Sequence, residues 1–122
     1  MADLNDQLSK YGIDYAEAMD RLDDNADFYK QIAMKYLDND QYEALVGALD
    51  AEDFDEGYKA AHALKGVAGN LSFAELYKAA AAINNALAQG EYQAAEALLP
   101  DVTKANGKVI EGLEKWSDGE LG

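Results

Sequence analysis

From Phe54 to Trp116 the apolar residues recur every three or four positions, and nothing else in the chain limits its fold as tightly. Leu76, Ala80, Ile83 and Leu87 share one face of a helix. So do Ala95, Leu98, Leu99, Val102, Ala105, Val109, Leu113 and Trp116. No stretch alternates with a period of two, so strands do not compete. The pattern predicts helices from Phe54 to about Asn70, from Ser72 to the stop at "QGEY", and from about Tyr92 to Trp116. Pro100 lies inside the last one, where its missing N–H predicts a kink or a short break.

Start and stop signals support these spans. Asp53 with Glu56, and Ser72 with Glu75, both have the spacing of a capping box. Gly90 suits a helix C-terminus. Further upstream, Tyr42, Leu45, Val46 and Leu49 form another apolar stripe. Asn25 is placed to cap a helix that buries Phe28, Ile32 and Tyr36, and Asp14 a short one carrying Tyr15, Ala18, Met19 and Leu22. Leu4 and Leu8 predict only a short frayed turn. Connections this short favour antiparallel neighbours. The expected fold is all-α: one domain over residues 1–122, an antiparallel up-down four-helix bundle with its core at about 25–116, and one or two short N-terminal helices over one end. The tyrosines and Trp116 are read as core and rim packing rather than a cofactor box.

Charge narrows the function. The chain carries 24 acidic and 10 basic residues, a net charge of −14. Nucleic acid and anionic membrane surfaces are poor partners for such a chain, because both require clustered Lys and Arg. The acidic residues are read as solvated helix faces. No run approaches the roughly 18 apolar residues of a membrane span. The start at Met1 shows no basic region followed by an apolar run, and the polar "SDGELG" reads as a terminus. There is no cysteine, which excludes disulfides and cysteine-ligated metal. A cytoplasmic, monomeric protein is the expectation. Neither a phosphate-binding loop nor a glycine-rich nucleotide lid is present, so no ATP-dependent kinase activity is expected.

Within this helical frame the stretch "AAHALKGVAGNLSFAELYKAA", residues 60–80, is unusual. It holds the only histidine, His62, with Gly66 and Gly69 close behind. Each glycine costs about 1 kcal/mol in a helix interior. At roughly 100° per residue, Phe54, Gly57, Ala61, Leu64, Ala68 and Leu71 form the core stripe. His62 points away from it, along with Asp55, Lys59, Gly66 and Gly69, and with Tyr58 and Lys65 beside them. The imidazole thus stands on a strip of helix without side chains. Lys65 is one turn on, within reach of an anionic group on the ring. This arrangement suits a nitrogen nucleophile that attacks phosphorus and holds a phosphoryl group. Two plainer readings stay open at this point: an ordinary surface histidine, and glycines that serve close helix packing. A metal site lacks a second histidine or cysteine.

The run "AHALKGVAGNLSFAELY" resembles the signature of histidine-containing phosphotransfer (HPt) domains of two-component phosphorelays. Ala61, His62, Leu64, Lys65, Gly66, Ala68, Gly69 and Leu71 match it, and the flanking "GYKAA" and "LYKAAAAIN" are also similar. Ser72 stands where the family has glycine. The resemblance implies that His62 is the phosphoacceptor, reacting through Nε2, and that Lys65 neutralises phosphoryl oxygens. It implies a docking surface at Gly66, Gly69, Lys59 and Tyr58. Asn84 falls near the family's imidazole-bonding glutamine, one methylene shorter. The implied partners are response-regulator receiver domains and a hybrid sensor histidine kinase. No cofactor or metal is implied on this chain; the receiver would carry the Mg²⁺. Two other roles are consistent with the resemblance: the phosphoacceptor domain of a chemotaxis-type histidine kinase, against which the termini argue, and a non-enzymatic helical adaptor that has lost phosphotransfer.

Overall fold

Four of the described α-helices begin where a short polar side chain takes up a free amide. Asp3 accepts from the N–H of Asp6, Asp14 from Glu17, Asn25 from Phe28 and Asp53 from Glu56. Caps of this kind contribute about 1 kcal/mol each. The computed structural model describes residues 3–122; Met1 and Ala2, on which the reading of the N-terminus also drew, lie outside it. Those four caps open α1 (Leu4–Ser9), α2 (Tyr15–Arg21), α3 (Ala26–Met34) and α5 (Phe54–Asn70). A 3₁₀ turn, Lys35–Asp38, continues α3. The remaining helices, α4 (Gln41–Asp50), α6 (Ala74–Ala88) and α7 (Tyr92–Ser117), start without a side-chain cap.

Helices α4 to α7 form the bundle. α5 packs between α4 and α6, and α7 closes the ring against α6 and α4. The connections span residues 51–53, 71–73 and 89–91, and the middle residue of each has a left-handed φ: Glu52 +55°, Ser72 +57° and Gly90 +74°. Glycine adopts this conformation freely, whereas an L-residue pays roughly 1–2 kcal/mol for it. The core between the helices is aliphatic, with Leu45, Leu64, Leu76, Ile83, Val102 and Leu113 fully buried.

The N-terminal part is more extensive than the sequence suggested. It comprises three α-helices and a 3₁₀ turn, not one or two helices. α1 is not a frayed turn, since Leu8 is completely buried. Tyr15, Tyr29 and Trp116 gather their rings within 5.9–6.1 Å of one another and seat this segment on the end of α7.

Three other expectations are corrected. α3 is rotated from the predicted phase: Tyr29, Ala33 and Tyr36 are buried, Ile32 is half-buried, and Phe28 is 45% exposed. The cause is polar satisfaction. The Tyr29 hydroxyl donates to the carbonyl of Leu71, and that of Tyr36 to Oδ1 of Asn106, so each ring is buried with its hydroxyl bonded. Ser72 does not cap α6. The N-cap is Phe73, and the Ser72 hydroxyl donates to Glu17 instead. Pro100 does not break α7, which is helical without interruption. Pro100 and Glu96, the residue whose carbonyl loses its helical donor, both face solvent, where water can replace the bond.

Candidate functional site

The Asp53 cap fixes where α5 begins and hence which residues face the core. Gly57, Ala60, Ala61, Leu64 and Ala68 are buried against α4 and α6. Gly57 lies in close packing with α4 and α6. A Cβ there would touch Leu49 at 3.4 Å and Leu87 at 3.7 Å. With that stripe inward, His62 is left on the solvent side and is exposed.

The surroundings of the ring are built from α5 itself. Tyr58, one turn earlier, lies nearly parallel to the imidazole, with ring centroids 6.1 Å apart and planes 24° apart. Tyr58 is 39% exposed. One turn after His62, Gly66 is open: a Cβ there would meet nothing within 4 Å. Lys65 is half-buried and, among the described residues, makes no ion pair. Its ammonium is therefore uncommitted. Lys59 is exposed and pairs with Glu56 at 3.3 Å, a contact worth little in water.

Two residues sit differently from expectation, Gly69 from its place on the helical wheel and Asn84 from the role the resemblance implies. Gly69 is not bare. A Cβ there would come within 3.2 Å of the Tyr77 ring, so this glycine admits an aromatic from α6 rather than leaving open space. Asn84 does not bond the imidazole. It is 7% exposed, and its amide donates to the main-chain carbonyl of Tyr58 at 3.3 Å. Its shorter side chain ends at the α5 backbone.

The site also includes a residue the sequence did not single out. Tyr77 is 42% exposed and borders the histidine face from the neighbouring helix. Its partner Gly69 lies across the α5–α6 turn, so the match of ring to glycine is visible only once the hairpin is built. Tyr58 and Tyr77 thus flank a face containing His62 and Gly66, with one uncommitted lysine at its side. Among the described residues no group of three or more His, Cys, Asp or Glu side chains is placed to hold a metal ion. Chemically, the face offers an accessible nitrogen, a nearby cation, and space for a phosphoryl group or an approaching protein surface.

Comparison with curated proteins and with solved structures gave no match. The Hpt domain family, by contrast, matches residues 39–116, which include α4 to α6 and nearly all of α7. That span exceeds half of the chain and contains His62, Lys65 and both glycines beside them. The chain therefore belongs to the Hpt domain family.

Proposed function

We propose that His62 accepts a phosphoryl group from the aspartyl phosphate of one response-regulator receiver domain and passes it to the aspartate of another. Membership of the Hpt family supports histidine phosphotransfer as the general role. The observation that carries the assignment to this residue is the exposed imidazole beside Gly66, where no atom would contact an added Cβ.

In the forward step the Nε2 lone pair attacks phosphorus. The N–P bond forms as the bond from phosphorus to the aspartate oxygen breaks, and the electron pair leaves with the carboxylate. Nδ1 keeps its proton. The return step reverses this on the second receiver. Lys65, three residues on, places positive charge beside the phosphoryl oxygens. The chain contributes the nucleophile and a docking face, and the receiver contributes the aspartate and its Mg²⁺. The rate then depends on how the two surfaces position the reacting atoms. A hybrid sensor histidine kinase is the proposed source of the phosphoryl group.

The direct test uses a radiolabelled phosphoreceiver. The wild-type chain should become labelled, with the acid lability of phosphohistidine. His62→Gln should remain unlabelled with an unchanged helical circular dichroism spectrum. Equal labelling of the variant would end this reading.

A further inference from the structure

The N-terminal segment is bonded to the end of the histidine helix at three consecutive carbonyls. The carbonyl of Asn70 accepts from the Arg21 guanidinium at 3.0 Å, that of Leu71 from the Tyr29 hydroxyl at 2.5 Å, and that of Ser72 from the Asp14 N–H at 2.8 Å. Arg21 also donates to the Ser72 hydroxyl at 2.5 Å, and this hydroxyl donates to Glu17 Oε1 at 2.9 Å. All four donors and acceptors from this segment, Asp14, Glu17, Arg21 and Tyr29, precede residue 39, where the family match begins.

These bonds fall where the backbone most needs them. The last carbonyls of a helix lack intrahelical donors and carry partial negative charge, which a guanidinium complements. Ser72 is held in a left-handed conformation that an L-residue avoids, and Asp14, Glu17 and Arg21 each bond it there. The turn therefore depends on contacts from outside the α5–α6 hairpin.

The clamp lies at one edge of the histidine face. Gly69, in the last turn of α5, has its carbonyl 3.5 Å from Arg21, and a Cβ added to it would come within 3.2 Å of the Tyr77 ring. Glu17 and Tyr77 are both walls of a cleft of about 340 Å³ beside Gly69. A shift of the turn would move the Gly69–Tyr77 edge relative to His62 and leave the imidazole chemistry alone.

We propose that Arg21 and Tyr29 are positioning residues for phosphotransfer. They act through the α5–α6 turn, setting the Gly69–Tyr77 edge so that a receiver domain docks in register with His62. This rests on the phosphorelay reading above. A clamp that served only stability would not discriminate between a phosphodonor that docks and one that does not.

The test compares two donors on the full chain: phosphoramidate, which needs no docking surface, and a receiver domain that transfers to the wild type after phosphorylation by acetyl phosphate. Arg21→Gln and Tyr29→Phe should each raise the KM for the phosphoreceiver by about tenfold, with kcat changed by less than about twofold. Labelling of His62 by phosphoramidate should be unchanged. Arg21→Lys, which keeps a cation at the carbonyls, should recover much of the lost affinity. An unchanged KM in both variants would overturn the proposal and leave the phosphorelay reading standing. Phosphoramidate labelling that fell in step with receiver labelling would also overturn it, as a sign of general damage. A wild-type chain labelled by phosphoramidate but by no receiver would remove the reading on which the proposal rests.

Discussion

The side-chain amide of Asn84 donates to the main-chain carbonyl of Tyr58, 3.3 Å away and one turn ahead of His62. α6 thus braces α5 at the turn that carries the imidazole. That carbonyl has two lone pairs, so it can serve the helix and Asn84 together. Asn84→Ala should lower stability by about 1–2 kcal/mol in urea unfolding, from a lost hydrogen bond and lost packing. Asn84→Asp should cost more at neutral pH, because an ionised carboxylate would face a carbonyl with no proton to offer. An Asp variant more stable than the Ala variant would contradict this bonding.

The two glycines after His62 should respond differently to alanine. Gly66 has open space where a Cβ would go, so Gly66→Ala should stabilise the helix by about 0.5–1 kcal/mol. At Gly69 the Tyr77 ring must give way to a Cβ 3.2 Å from it, which offsets the gain in helix propensity. Thermal unfolding of both variants should rank Gly66→Ala above Gly69→Ala. A large side chain is a separate matter: Gly66→Gln should slow transfer from a receiver without unfolding the bundle. Normal transfer by Gly66→Gln would mean that this strip is not a docking surface.

What the sequence revealed, and what it hid, divides by distance along the chain. The caps at Asp14, Asn25 and Asp53, the stop at Gly90 and the outward face of His62 all follow from interactions within one or two turns. The misread features are long-range. Ser72 and Glu75 have capping-box spacing, but Ser72 bonds residues 51 and 55 positions away, and Glu75 pairs with Lys108 at 2.6 Å. The helical spacing of Phe28, Ile32 and Tyr36 favours burial of Phe28, yet Tyr29 is the residue buried. The carbonyl that makes burial of Tyr29 favourable belongs to Leu71 and cannot be located from local pattern. Gly69 looked vacant because a helical wheel omits the neighbouring helix that supplies Tyr77.

The proposed role of Lys65 lies with the transferring group and not with the fold. It is half-buried and makes no ion pair among the described residues, so removing its charge breaks no salt bridge. Lys65→Ala should slow phosphotransfer by about tenfold, equivalent to about 1.4 kcal/mol of barrier, with a melting temperature close to wild type. Rapid-quench transfer rates alongside thermal melts would separate the two effects. An unaltered rate would exclude the proposed role for the ammonium.

Alkali should weaken the fold through two buried tyrosines. Desolvation by burial raises the hydroxyl pKa of both Tyr29 and Tyr36 well above the ordinary value of 10.0; for Tyr29, Arg21 partly opposes this. Above about pH 10 the unfolded chain therefore releases these protons while the folded chain retains them. The stability they contribute is fully present below pH 10 and declines as pH rises toward the folded values, by about 1.4 kcal/mol per pH unit for each group. Urea unfolding at pH 9 and pH 11 should show this loss. Tyr29→Phe and Tyr36→Phe should each reduce it, whatever they do to stability at neutral pH. An equally steep loss in the double variant would assign alkaline unfolding to other groups.

Gly112 tests the attachment of the N-terminal segment to the bundle. It lies in α7, where propensity alone predicts that alanine should stabilise by about 1 kcal/mol. Yet a Cβ at Gly112 would meet Cβ and Cγ of Tyr11, both at 2.7 Å. Those atoms lie at the base of the Tyr11 side chain, so relief requires backbone movement of the α1–α2 connection rather than a change of rotamer. Overpacking of this kind costs about 1–3 kcal/mol, which exceeds the propensity gain. Gly112→Ala should therefore destabilise the protein, in the opposite direction to Gly66→Ala on the solvent face of α5. The strain should appear first at the N-terminal segment, as faster amide exchange in α1 and α2 than in α5 and α6. If alanine stabilises at both positions, the close approach of Tyr11 to α7 is not a feature of the folded state.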